Sequence, residues 1–252
     1  MASEHPFSLD QKVALVTGST AGIGHAIALS FTRAGAQVAI NGRDADQVAT
    51  VAEELENAIE APFDVTDHAA AEQAIDNIIA STGRFDILVC CVGARNRQPM
   101  SKIDPEAYRQ IMETNVVSAY HLSRLAMQKI THRESGRIIF ISSAAAKRPF
   151  RGDAAYASSK AAMESLARSL AFEVGPSGMT ANVIAPGFVA TEYNQAMVDD
   201  EAIARFVESR IPAQRWARPS EIGNVAVFLA SDAASYVNGH VLAVDAGMSV
   251  IL

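Results

Sequence analysis

The stretch that decides the fold is Lys12-Val13-Ala14-Leu15-Val16, followed at once by Thr17-Gly18-Ser19-Thr20-Ala21-Gly22-Ile23-Gly24. The first five residues read as a short buried strand. The residues after the glycines read as a helix, with Ile23, Ile27, Ala28 and Phe31 forming an apolar stripe and Ala34-Gly35 ending it. Glycines between a strand and a helix let the backbone approach a ligand and leave the first helical amides free for an anion such as a pyrophosphate. A plain tight turn is the competing reading of the glycines alone. The strand and helix around them favour a βαβ unit with a nucleotide cofactor.

The chain beyond repeats that alternation. Strands are expected at Gln37–Asn41, Ile59–Phe63, Phe85–Gly93, Arg137–Ile141, Thr180–Ala185 and His240–Asp245. Helices are expected over Ala45–Asn57, Asp67–Thr82, Asp104–Ile130, Ala154–Val174 and Pro219–Ala230. This predicts a single α/β domain: a doubly wound parallel sheet with helices on both faces and ligands at the carboxyl ends of the strands. Residues 12–150 should carry most of the cofactor site, and the segment of about 188–215 should form a substrate lid. At the end of the second strand an acid would bind the ribose of NAD, and an arginine would suit the 2′-phosphate of NADP. Asn41 stands where the acid is expected and Arg43 follows, which favours NADP(H) with NAD(H) as the alternative. Arg43 could instead pair with Asp44 or Asp46. Asp64, at the next strand end, is placed either to accept from an adenine or to cap the following helix.

A second stretch carries the chemistry. Tyr156 and Lys160 lie one helical turn apart in Ala155-Tyr156-Ala157-Ser158-Ser159-Lys160 and project from one face. Ser143 follows the buried strand Arg137–Ile141. A free phenol, with a pKa of about 10, is a poor base at neutral pH, and a nearby cation favours its ionised form. Asn115 inside a helix could hold a water or a backbone turn with its amide, or simply be exposed.

The 252 residues are 49% hydrophobic and 19% charged, with a net charge of −7. That balance, without a basic run, argues against nucleic acid as a partner. No apolar run reaches the roughly 18 residues of a membrane span, and no signal peptide is visible. The two cysteines are neighbours, Cys90 and Cys91, which gives no disulfide framework and suggests a reducing, cytoplasmic setting. No metal site is expected.

Taken together, these motifs resemble the short-chain dehydrogenase/reductase family along essentially the whole chain. The resemblance implies a Rossmann-like sheet of about seven strands. Thr17, Gly18, Gly22, Ile23 and Gly24 match the cofactor loop, with Ser19 and Thr20 inside it; Asp64-Val65 match the adenine-contacting pair. Asn115, Ser143, Tyr156 and Lys160 match the catalytic tetrad. Pro186-Gly187, with Val189 and Thr191, matches the segment that holds the nicotinamide carboxamide. By this resemblance Tyr156 is the acid/base and Ser143 orients the reacting oxygen. Lys160 supports the phenolate and the ribose, and Asn115 keeps a proton-relay water in line. The family usually carries Asn-Asn-Ala-Gly after the fourth strand; here it is Cys90-Cys91-Val92-Gly93, which keeps the glycine and puts thiols where the asparagines brace the sheet.

Within the family the C-terminal third is most similar to gluconate 5-dehydrogenases, through Ala185–Phe188, Ala190–Glu192, Pro212–Trp216 and Tyr236–His240. An anionic sugar acid would explain the cations around the site: Arg95, Arg97, Lys147, Arg148 and Arg151. Arg95, Arg148, Arg151 and Glu192 are the candidate substrate residues. The alternatives are a 3-oxoacyl-[acyl-carrier-protein] reductase and a non-catalytic NADP-binding regulator. The basic docking residues of the first align here with Glu134 and Ser177, neither of them basic. The second would need no tyrosine–lysine pair. The resemblance further implies a homotetramer built through the helices at 104–130 and 154–174 and through the C-terminal strand region.

Overall fold

Buried strands and amphipathic helices alternate through residues 5–250, which a computed structural model describes. The strands are β1 (Val13–Val16), β2 (Gln37–Ile40), β3 (Ala58–Glu60), β4 (Ile87–Cys90), β5 (Arg137–Ile141), β6 (Thr180–Pro186) and β7 (Val241–Val244). The helices are α1 (Gly22–Arg33), α2 (Ala45–Glu54), α3 (His68–Thr82), α4 (Pro105–Met112), α5 (Ser118–Lys129), α6 (Ala154–Val174), α7 (Gln195–Val198), α8 (Glu201–Arg210) and α9 (Pro219–Ala230). The seven strands form one parallel sheet in the order β3-β2-β1-β4-β5-β6-β7. The order reverses between β1 and β4, which opens a crevice at their carboxyl ends.

Central strands buried on both faces read as continuous apolar runs. Leu15, Leu88, Ile138 and Phe140 pack on one face against Ile75, Leu122, Leu125 and Met163 from α3, α5 and α6. Ala14, Val16, Val89 and Ile139 pack on the other against Ile27, Phe31, Val48, Ile222 and Leu229 from α1, α2 and α9. This is the expected Rossmann-like doubly wound sheet.

Two expectations shift locally. The helix foreseen over 104–130 is not uniform: between α4 and α5, residues Glu113–Val117 form a π-helical turn, and Asn115 lies inside it. Such turns are rare and gather at functional sites. The helix after the third strand is capped by Asp67, whose side chain accepts from the Ala70 amide at 3.0 Å, so capping does not fall to Asp64. No helix among the described residues is long and apolar enough to cross a membrane.

Candidate active site

The glycine loop is lashed to the neighbouring strand end by one side chain. Asn41 is buried; its Oδ1 accepts the Gly18 amide at 3.1 Å, and its Nδ2 donates to the carbonyls of Ala61 and Phe63 at 3.0 and 3.1 Å. Its backbone amide donates to Ser19 Oγ at 2.9 Å. Asn41 therefore does not face a ribose, because its amide is fully engaged inside the sheet edge. Thr17 Oγ1 donates to the Val89 carbonyl at 3.2 Å and accepts from the Cys91 amide at 3.0 Å, tying the loop to β4. Gly22 has φ +59, and a Cβ at Gly24 would stand 2.1 Å from the Gly18 carbonyl oxygen. No larger residue permits that turn. The side chain of Ile23 packs on the core.

After β2 the chain passes Gly42, next to Thr20, and reaches Arg43, which is exposed. Asp44 caps α2 through the amides of Asp46 and Gln47, and Arg43 makes no ion pair with either aspartate. Asp64 accepts from the Thr66 amide at 2.9 Å and its hydroxyl at 2.7 Å, and these bonds hold its carboxyl below its ordinary range. Val65 is buried in the core, so only its backbone is available to a ligand. A cradle this close to a helix N-terminus, with a cation at the end of β2, fits a dinucleotide.

Tyr156, Lys160 and Ser143 come from two elements that meet at the sheet's carboxyl edge. Lys160 is buried; its Nζ donates to the Ile141 carbonyl, the last of β5, at 2.8 Å and lies 5.7 Å from the centroid of the Tyr156 ring. A Cβ at Gly93 would come within 3.0 Å of that ammonium, so the glycine makes room for it. Ser143 leaves β5 extended, and its Oγ accepts the Ala145 amide at 3.1 Å. Tyr156 is half-buried, and no described residue hydrogen-bonds its phenol oxygen.

Asn115 is buried and braces the turn after β4. Its Oδ1 accepts from the Ala94 amide at 2.6 Å, and its Nδ2 donates to the Ala94 carbonyl and to Ser159 Oγ, both at 2.9 Å. With both amide hydrogens engaged, the side chain holds the backbone turn after β4. Burial pushes the Cys90 thiol up to about 12 and the Cys91 thiol up to about 11. Both are therefore protonated near neutrality, and Cys90 packs in the core where the family's asparagine would stand.

Two of the candidate substrate residues are drawn elsewhere. Arg95 donates through Nε to Asp153 Oδ1 at 2.9 Å and through Nη2 to Asp153 Oδ2, which occupies its Nε–Nη2 edge. Glu192 reaches the cofactor loop instead, where its Oε1 accepts the Gly22 amide at 2.7 Å. Arg148 and Arg151 are exposed and form no ion pair with a described residue. Asp153 was not foreseen. Its place just before α6 suggests an ordinary helix cap, yet it makes no cap bond and binds both Arg95 and Arg97.

The segment after β6 leaves the sheet through Pro186 and Gly187, whose amide donates to the Val244 carbonyl at 3.0 Å. Val189 is buried and bridges to Ala217, and Thr191 opens a capping box with Asn194. Phe188, Phe206, Phe150 and Trp216 pack as a cluster of rings with neighbouring centroids 4.9–5.8 Å apart. Among the described residues no group of three or more His, Cys, Asp or Glu side chains could hold a metal ion.

Comparison with known proteins agrees with this architecture. A family model described as enoyl-(acyl carrier protein) reductase matches residues 18–249. The chain is 34% identical to 5-keto-D-gluconate 5-reductase of Escherichia coli (strain K12), over 97% of this chain and 98% of that one. It is 36% identical to a 3-oxoacyl-[acyl-carrier-protein] reductase of Salmonella typhimurium, over 97% of this chain and 100% of that one. The crystal structure of a gluconate 5-dehydrogenase from Burkholderia cenocepacia J2315 in complex with NADP and tartrate superposes with a TM-score of 0.91 at 35% identity, covering 98% of each chain. Because this likeness spans nearly every residue and carries the sheet order with it, the chain belongs to the short-chain dehydrogenase/reductase family of NAD(P)-dependent oxidoreductases.

Proposed function

We propose that this oxidoreductase interconverts D-gluconate, or a closely related sugar acid, and its 5-keto form, with NADP(H) preferred over NAD(H). The observation that carries the reading is Tyr156, whose phenol oxygen has no hydrogen-bond partner among the described residues and whose ring stands beside the cations of Lys160 and Arg95. Its setting, next to a glycine loop built for a dinucleotide, is what an alcohol–ketone exchange requires. The bound nicotinamide would accept or donate the hydride. In oxidation the Tyr156 oxygen takes the substrate hydroxyl proton, while the Ser143 hydroxyl orients the reacting oxygen. Lys160, anchored on the Ile141 carbonyl, keeps its ammonium beside the Tyr156 ring. Arg43, exposed and in no ion pair with a described residue, suits a 2′-phosphate. Arg148 and Arg151 are the cations available to a substrate carboxylate, and 188–215 form the lid over it.

The carrier-protein reductase remains a second reading because of the Salmonella relative. Its docking cations are replaced here by Glu134, exposed and acidic, and by Ser177. A regulator without turnover has no use for that phenol. Steady-state assays with D-gluconate and NADP⁺ or NAD⁺, against acetoacetyl thioester with NADPH, decide among the three. Gluconate turnover supports the proposal; thioester reduction alone moves the chain to the carrier-protein branch. We also infer a homotetramer, supported by Phe172 on α6 and Tyr120 on α5, large rings 88% and 56% exposed in the single chain. Light scattering at the mass of one chain would rule that out.

A further inference from the structure

On its own helix the Tyr156 ring has Ser159 and Lys160 on the same face, neither of them bulky enough to lock it, and the torsion that turns a tyrosine ring is broad and two-fold. Two cations lie against the ring: Lys160 Nζ, 5.7 Å from the ring centroid, and, nearer, the guanidinium of Arg95, its central carbon 4.9 Å away. That guanidinium cannot swing freely. Two of its nitrogens are hydrogen-bonded to the two oxygens of Asp153, a carboxylate that is fully buried. Arg97 grips the same carboxylate at 3.1 and 3.3 Å but faces Phe150, with its guanidinium 5.7 Å from that ring. Asp153 thus has two cationic partners, and only one touches the tyrosine.

We propose that Arg95 is a positioning residue for Tyr156: clamped by the buried Asp153, its planar guanidinium fixes the plane of the phenol ring and keeps a cation against its face. The inference rests on Tyr156 being the acid/base. It gives Arg95 a task other than gripping substrate: its Nε–Nη2 edge faces Asp153. The planar fork is essential to the arrangement. A lysine would keep the charge but could not engage both Asp153 oxygens side by side.

The test uses the full chain labelled with 3-fluorotyrosine. It has five tyrosines, and the fluorine resonance missing in Tyr156→Phe is that of Tyr156. In Arg95→Met and Arg95→Lys this resonance should shift or broaden, with NADP⁺ binding reporting that the variants are folded. In Arg97→Met it should stay in place. In steady-state assays, with whichever of D-gluconate or acetoacetyl thioester the wild type turns over, Arg95→Met should lower kcat roughly tenfold to hundredfold and change KM less than about threefold. Arg95→Lys should restore only part of the loss. An unmoved Tyr156 resonance in Arg95→Met would overturn the proposal. So would a KM raised tenfold at unchanged kcat, the mark of a direct substrate contact. The fluorine readout needs no substrate, so it stands even if gluconate is not turned over. Turnover by Tyr156→Phe would instead remove the acid/base reading itself.

Discussion

Glu192 accepts the backbone amide of Gly22 at 2.7 Å, so a carboxylate from the segment after β6 sits on the N-terminus of α1. The Tyr193 ring lies over the same glycine, where an added Cβ would meet it at 3.6 Å. Helix N-termini favour anions, and the side chain occupies a place suited to a phosphate oxygen. A bound dinucleotide must compete with it. Glu192→Ala should therefore bind NADP⁺ about threefold to tenfold more tightly, a change of roughly 0.6–1.4 kcal/mol. Trp216, the single tryptophan, packs on Phe188 in the same segment at 4.9 Å, and its fluorescence can follow the titration. Weaker binding in the variant would show that Glu192 helps to hold the cofactor.

Tyr156→Phe removes the one phenol oxygen placed for proton transfer while keeping the ring against Arg95 and Lys160. General acid–base catalysis contributes about 10²–10⁴-fold. Oxidation and reduction should both fall by about that factor, with NADP⁺ affinity nearly unchanged. Turnover at the wild-type rate in either direction would contradict the assignment.

Arg43 follows β2 and makes no ion pair with a described residue, although Asp44 stands beside it. A hydrogen bond to a charged group is worth about 1.5–3 kcal/mol. Arg43→Ala should weaken NADPH by roughly tenfold to hundredfold and leave NADH within about twofold. Equal losses for the two cofactors, measured by calorimetry, would mean that Arg43 does not read the 2′-phosphate.

Burial pushes the Asp153 carboxyl up, but the hydrogen bonds and charges of Arg95 and Arg97 outweigh it and hold the group below the usual carboxylate range. An unfolded aspartate titrates near about 4. The unfolded chain therefore binds the extra proton first as pH falls. The contribution of Asp153 to stability is complete above about pH 4 and is lost as pH drops through the lower folded value. Asp153→Asn should cost about 2 kcal/mol at pH 7, discounted because both guanidinium groups are partly in water. For a chain of this size that is roughly 4–8 °C in Tm. The gap between mutant and wild type should close as the pH is lowered below about 4. A gap constant down to pH 3 in thermal melts would show that the carboxylate charge is not what stabilises the clamp.

Local pattern made much of the fold legible. The expected bounds of β5, α6 and α9 match the structure because each is a self-contained apolar or alanine-rich period with clear ends. The helix over 104–130 hid its π-helical turn, since widening a turn leaves the side-chain spacing of Glu113–Val117 almost unmarked in sequence. Asn41 stood where a ribose contact was expected, but its partners Gly18, Ala61 and Phe63 belong to other segments, 20–23 residues away. Arg95 looked like an unopposed cation for the same reason: Asp153 is 58 residues further along the chain.

By itself, then, the sequence determined the alternating strands and helices, the glycine turn, and the four-residue step that puts Tyr156 and Lys160 on one face of α6. These depend on backbone geometry and on residues close in the chain. Only the tertiary structure decided which charges are engaged. Arg95 closes on Asp153, Glu192 settles on Gly22 and Asn41 ties the loop to the sheet, whereas Arg43, Arg148 and Arg151 are left without an ion pair among the described residues. A hydrogen bond is chosen by proximity in space and by the cost of leaving a buried polar group unpaired. Neither quantity exists until the sheet has brought distant segments to one edge.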